Sequence, residues 1–324
     1  MTVLPATKED LTLTPVMKRI LERLAEEDAG IGDPTLLPPQ EARELAEQTN
    51  ERWNQKLPEV EKVTSFSIPS KAGASIPCFL FSPENAQGLI VFIHGGGWAL
   101  CSSATHERAA RLLALEARAH VLAFDYRLAP EAAYPSALED CQAVWEAVVA
   151  GVPELSNCDG PAAVAGDSAG ANLALALMLS LQGGAVPQPD CGLLFYGVYG
   201  ADFETASYLG QRDGPGLTRD KMMRYWDWYV PDPVDRKSCM VAPLEASDLQ
   251  LKSLPPLFLT AAAIDPLRSD TEIMVRRLSS LGRTDRYILY PGVVHGFMQM
   301  SLELPEACLA AADAGRAFRE LTRP

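Results

Sequence analysis

No stretch of the chain approaches the roughly 18 consecutive apolar residues that a membrane-spanning helix requires, so no integral membrane segment is expected. The start, Met1 to Asp10, lacks a basic segment followed by an apolar one, so a secretory signal is not expected either. Positive charge is in deficit: 28 Lys and Arg stand against 42 Asp and Glu, a formal net charge of −14. Such a surface repels phosphate backbones, which makes nucleic acid a poor partner and mildly disfavours acidic substrates. The seven cysteines, at 78, 101, 141, 158, 191, 239 and 308, are scattered, form no CxxC pair and show no metal-ligand spacing. They read as reduced thiols of a cytoplasmic protein. Histidine is scarce at four residues, so chemistry that needs an imidazole has few places to go. Internal repeats and low-complexity tracts are also missing.

What remains is a chain of 324 residues, 48% hydrophobic, long enough for a large α/β enzyme carrying an appended cap. Residues 11–29 place Val16, Ile20, Leu21 and Leu24 at helical spacing, and Gly30, Gly32 and three prolines then break the pattern. Residues 40–56 read as a second helix. Two helices with no strand between them suggest a cap segment over 1–58. From there strands alternate with helices: strands at 62–68, 76–81, 89–93, 120–124, 161–165, 191–196, 256–261 and 286–290, helices at 105–119, 136–150, 168–183, 267–282 and 304–321. This alternation predicts a mainly parallel sheet flanked by helices, built from 59–199 and 255–324. The interruption at 200–254, rich in Tyr and Trp, follows a central strand and reads as a second cap segment where open α/β sheets bind ligands.

Gly166-Asp-Ser-Ala-Gly170 lies between the apolar strand 161–165 and the helical run Ala171-Asn-Leu-Ala-Leu-Ala-Leu. G-x-S-x-G in a strand–turn–helix context is the signature of an exposed nucleophilic serine, here Ser168. A helix N-terminus at the same place favours a developing anion. Strand 89–93 ends in His94-Gly95-Gly96-Gly97-Trp98, where backbone N–H groups can approach a substrate oxygen. Gly95 and Gly96 are expected as oxyanion donors together with Ala169, with Gly97 supplying turn freedom and His94 bracing the loop. Of the four histidines, His106 is expected inside a helix and His120 at the start of a strand. His295 follows the last strand and is the expected general base. The acid should lie between serine and histidine in the chain. Asp265, in Ala263-Ile-Asp-Pro-Leu267, fits; Asp270 is the alternative, and Asp167 should point away from the base. Trp98, Tyr126, Tyr208 and Trp228 are candidates for the pocket wall, with ordinary packing as the competing expectation for each. Arg127 and Glu131 are expected to brace the fold through charge pairs.

These pieces, with Phe124-Asp-Tyr-Arg-Leu-Ala-Pro-Glu131 and His295-Gly-Phe297, resemble the hormone-sensitive-lipase-like esterases, the bacterial family IV group, from about Glu59 to the C-terminus. The resemblance implies an α/β-hydrolase fold with a mainly helical cap, a Ser168–His295–Asp265 triad and no cofactor. It also implies a preference for short acyl esters, and a homodimer formed through a sheet edge. Ala263 and Ser269-Asp270 depart from the residues usual around the family's acid. An amidase or formamidase would use the same residues, and a lyase could use the same scaffold. A non-catalytic small-molecule receptor on this fold can lose the base, whereas His295 is present.

Overall fold

The computed structural model describes residues 6–323. Residues 1–5 of the expected N-terminal segment and of the start read for a signal, and residue 324, lie outside them.

Eight strands form one sheet in the order β1-β2-β4-β3-β5-β6-β7-β8. The strands are β1 (Lys62–Pro69), β2 (Ser75–Ser82), β3 (Leu89–Ile93), β4 (His120–Phe124), β5 (Ala162–Asp167), β6 (Cys191–Phe195), β7 (Leu257–Ile264) and β8 (Arg286–Val294). β1 pairs antiparallel with β2, and β2 with β4; every other pairing is parallel. The parallel core explains the composition of its strands. Leu-Ile-Val-Phe-Ile in β3 and Leu-Phe-Leu-Thr-Ala-Ala-Ala-Ile in β7 are buried along their whole length, because helices cover both faces.

Helices α1 (Pro15–Glu27) and α2 (Pro39–Asn50) precede the sheet, and α3 (Glu107–Ala117), α4 (Ser136–Ala150) and α5 (Ala169–Ser180) connect its strands. The segment between β6 and β7 carries α6 (Ala206–Gly210), α7 (Arg219–Tyr229) and α8 (Asp248–Lys252); α9 (Arg268–Ser280) and α10 (Pro305–Leu321) complete the chain. One apolar cluster joins α4, α5 and α9 to one face of the sheet, and a second joins α1, α3 and α10 to the other. α5 is apolar on every side and buried from Ala169 to Leu179, as a helix enclosed by sheet and neighbours must be.

Three ends near the site differ from the sequence reading for tertiary reasons. α2 ends at Asn50, not at residue 56, and continues as a single 3-10 turn over Glu51–Trp53. Asn54 draws the chain off the helix axis: its Nδ2 donates to Thr105 O (3.0 Å) and its Oδ1 accepts from Arg108 N (2.9 Å). β7 and β8 run three and four residues beyond the expected ends, because their ladder continues past an irregularity to Ile264↔Val294. Asp265 and His295 therefore follow their strands directly and start side by side.

The sheet order reverses between β3 and β5. Crevices outside the carboxyl ends of strands at such a switch point are where open α/β sheets bind ligands. The loop after β3 holds the three glycines and the turn after β5 holds Ser168.

Candidate active site

The turn at Ser168 is forced by packing. Ser168 has φ +53° and ψ −118°, a conformation that L-residues avoid and that costs about 1–3 kcal/mol. Glycine on both sides makes the turn fit. A Cβ at Gly166 would sit 2.4 Å from Gly170 backbone atoms, and one at Gly170 would sit 1.9 Å from Ile93 O at the end of β3. The turn points Ser168 Oγ at His295 Nε2, 2.9 Å away. His295 Nδ1 lies 2.7 Å from Asp265 Oδ2. A carboxylate only accepts, so Nδ1 carries the proton and Nε2 is left to accept the hydroxyl proton of Ser168. Asp265 is fully buried, and its second oxygen accepts Leu267 N–H at 2.8 Å, which fixes the carboxylate plane. Tyr196 stands edge-on against the imidazole, with ring centroids 5.1 Å apart. The structure thus brings Ser168, His295 and Asp265 into one hydrogen-bonded chain.

Asp270, the alternative acid, is elsewhere. It sits in α9, and its Oδ2 accepts the N–H groups of Tyr199 (2.8 Å) and Gly200 (2.9 Å), holding the chain that leaves β6. Burial pushes its carboxyl up to about 7, against the pull of those two N–H donors and with help from the charge of Asp265. A carboxyl raised from an ordinary value of 3.8 keeps its proton in the folded state while the unfolded chain loses it. Its penalty on stability is absent below about 3.8, grows as pH rises, and is complete above about 7. Asp270→Asn is therefore expected to be more stable than the parent at pH 8, with the advantage fading towards pH 4. Urea midpoints at the two pH values measure this; an equal offset at both would contradict it.

The oxyanion loop departs from the sequence reading at one residue. Gly95 N–H is not free: it donates to Asp167 Oδ1 at 2.9 Å. Gly96 (φ +109°) and Gly97 (φ +60°) turn their backbone towards the cavity beside Ser168. The N–H groups of Gly96, Gly97 and Ala169 find no acceptor among the described residues. The unpaired N–H groups beside Ser168 are therefore those of Gly96, Gly97 and Ala169, whereas Gly95, expected as a donor, is taken up by Asp167. His94 braces the loop as expected. Its Nδ1 lies 2.7 Å from Gly95 O, and its ring stacks on Tyr126 at 4.3 Å. Burial, aided by the charge of His106, lowers the His94 pKa to about 4, so the ring is neutral near pH 7.

The cavity that opens on Ser168 has a volume of about 170 Å³. Leu217, Met222 and Tyr225 supply its apolar wall; Asn50, His106 and Gln299 supply polar groups. None of the four expected pocket aromatics lines it. Trp98 is fully buried, stacked on Tyr229 at 4.4 Å and edge-on to Trp226, because its own left-handed backbone (φ +58°) directs it into the packing around α7. Tyr126 is buried against His94 and donates to His94 O at 2.9 Å. Tyr208 is buried against Phe203, and Trp228 packs edge-on to Tyr225. His106 was expected within a helix; it is the N-cap residue of α3, and its side chain reaches the cavity. Helical periodicity carries no signal for that. Arg127 pairs with Asp140 and Glu139, and Glu131 with Arg43, so both brace the fold as expected.

Residues 90–299 match a family described as alpha/beta hydrolase fold. The chain belongs to the α/β-hydrolase family. Within it the chain is a hormone-sensitive-lipase-like member. A carboxylesterase from Mycobacterium tuberculosis, NlhH, is 35% identical over 237 residues, covering 72% of this chain and 73% of that protein. An acetyl esterase from Salmonella schwarzengrund is 34% identical over 272 residues, 82% of each chain. Among solved structures, a thermostable esterase from Pseudomonas putida superposes with a TM-score of 0.88 at 30% identity, over 97% of this chain and 98% of its own. The fold class expected from the strand–helix alternation is borne out. Among the described residues, no helix is long and apolar enough to cross a membrane.

Proposed function

We propose that Ser168, His295 and Asp265 hydrolyse carboxylic esters in two acyl-transfer steps. The chain is a carboxylesterase, a reading supported by its family and by relatives named carboxylesterase and acetyl esterase. The observation that carries the mechanism is the continuous hydrogen-bonded chain from Ser168 Oγ through His295 to Asp265. His295 Nε2 takes the Ser168 proton as Oγ adds to the ester carbonyl. The oxyanion then meets the free N–H groups of Gly96, Gly97 and Ala169, dipoles already aimed at the place where the charge develops. Asp265 holds the imidazole tautomer and stabilises the imidazolium. His295 returns its proton to the leaving alcohol, and a water molecule repeats the addition on the acyl-enzyme. No step calls for a metal or an organic cofactor.

Segments 1–58 and 200–254 act as a cap. Asn50 at the end of α2 and Leu217, Met222 and Tyr225 from the insertion close the cavity over Ser168, and Arg224 of α7 pairs with Asp33 to tie the two segments together. The cavity is smaller than the roughly 300–1,000 Å³ of pockets for drug-sized ligands, which favours short acyl groups. A series of p-nitrophenyl esters from acetyl to about dodecanoyl tests this: kcat/KM is expected to peak at the short end and to fall steeply once the chain outgrows the cavity. A maximum at the long end would sink the short-chain assignment. The seven cysteines stand unpaired, which supports a reducing, cytoplasmic compartment. β1 and β8 are the outer strands of the sheet, so a homodimer through a sheet edge would use one of them.

A further inference from the structure

The carboxylate beside the nucleophile has no role in the triad, yet it is buried and makes more polar contacts at the site than either oxyanion glycine. Asp167 is the last residue of β5. Its Oδ1 accepts Gly95 N–H at 2.9 Å and lies 3.4 Å from His106 Nε2; its Oδ2 accepts the hydroxyl of Tyr196 at 3.4 Å. The approach is so close that a Cβ on Gly95 would stand 2.7 Å from Asp167 Oδ2. Glycine at 95 is therefore needed to admit this carboxylate, which gives the first glycine of the loop a different purpose from the two that follow it.

His106 is itself held from behind. Its Nδ1 faces Ser102 O (3.2 Å) and Thr105 Oγ1 (2.9 Å), and Thr105 Oγ1 already donates its one proton to Ser102 O at 2.8 Å. At the other end of the ring Nε2 faces the carboxylate of Asp167 and the side-chain amide of Gln299. The ring bridges the start of α3 to the nucleophile turn. Burial alone would raise the Asp167 carboxyl, but His106, the Gly95 N–H and His295 together hold it below its ordinary value, so it stays charged.

We propose that Asp167, fixed by His106, is the positioning residue of the oxyanion hole: it clamps Gly95 so that the next two N–H groups face the carbonyl oxygen of the substrate. The proposal rests on the reading of Gly96, Gly97 and Ala169 as oxyanion donors. The geometry explains why a clamp is needed. Gly96 and Gly97 both have left-handed backbones and no side chains, and the chain from Gly95 to Trp98 lies outside any strand or helix, so its backbone has many alternatives. Charge-assisted anchoring of Gly95 removes them. A hole fixed before the reaction needs no reorganisation when the oxyanion forms.

The test is Asp167→Asn in the full chain, with His106→Gln as a second variant that leaves the nucleophile turn untouched. For Asp167→Asn, kcat/KM on p-nitrophenyl acetate is expected to fall about ten- to a hundredfold, less than the 10²–10³ typical of losing a donor outright. KM should move by less than about twofold, because the clamp acts on the transition state. A short alkyl trifluoromethyl ketone, whose Ser168 adduct places an oxyanion in the same hole, should lose affinity by the same factor as kcat/KM. A merely structural role would lower the melting temperature without tying rate to ketone affinity. His106→Gln should show the same paired losses at smaller size. Asp167→Asn within about threefold of the parent, or a slower variant with unchanged ketone affinity, would overturn the proposal. His106→Gln with full rate and full affinity would overturn the part given to His106. If Asp167→Asn does not fold, the paired losses in His106→Gln decide. Failure of the underlying mechanism reads differently: there Ser168→Ala keeps its rate.

Discussion

Replacing Ser168 by alanine is expected to lower kcat on p-nitrophenyl acetate by about 10⁴- to 10⁶-fold while leaving the fold intact. The size follows from the nature of the step. Without Oγ there is no acyl-enzyme, and His295 can only activate water at a place where the free N–H groups still bind an oxyanion. The intact fold follows from the geometry at 168. The strained backbone (φ +53°) is imposed by Gly166, Gly170 and the end of β3, and alanine keeps the same Cβ. The one hydrogen bond lost is that to His295 Nε2, at a group that remains partly open to water. Melting temperature should therefore change by no more than a few degrees. A variant with a tenth of parental activity would mean that another group is the nucleophile.

Asp265→Asn should lower kcat by about 10⁴-fold, the loss seen when a triad carboxylate becomes an amide. Asp265 is buried, and among the described residues its Oδ2 meets only His295 Nδ1. An asparagine that kept its Oδ1 on Leu267 N–H would turn its NH₂ towards that ring. The ring would then be held with Nδ1 as acceptor and Nε2 protonated, the wrong tautomer to take the proton of Ser168. Because the fault is in the tautomer, raising the pH should recover part of the rate as hydroxide substitutes for the base. Asp270→Asn on the same assay should stay near parental activity, since Asp270 holds Tyr199 and Gly200 and not the imidazole. Reversal of that order would exchange the roles of the two aspartates.

The sheet and the three side chains that meet in the hydrogen-bonded chain Ser168–His295–Asp265 were legible because their signals are local. A fully buried parallel strand reads as a short apolar run, and β3, β4 and β6 appear where such runs occur. Ser168 is marked by the pentapeptide and by what flanks it. His295 and Asp265 follow from chain order and from the scarcity of histidine. What was not legible depends on distant contacts. Which of three successive glycines keeps a free N–H is decided by a carboxylate 72 residues away. The end of α2 is set by Asn54 reaching Thr105, 51 residues on. The pocket wall depends on which way Trp98 leaves a left-handed turn, and composition could not separate Tyr225, which lines the cavity, from Trp226 and Trp228 on the same helix. His106 escaped for a similar reason: one residue of difference at a helix start turns a packed side chain into a site side chain.

On this mechanism Ser168 forms the covalent intermediate. Its most direct measurement is the site of modification by a slowly released p-nitrophenyl alkylphosphonate, read by mass spectrometry of the digested protein. One adduct per chain is expected, on Ser168, with one equivalent of p-nitrophenol released and no adduct in Ser168→Ala. An adduct on any other residue, or labelling that persists in Ser168→Ala, would contradict it.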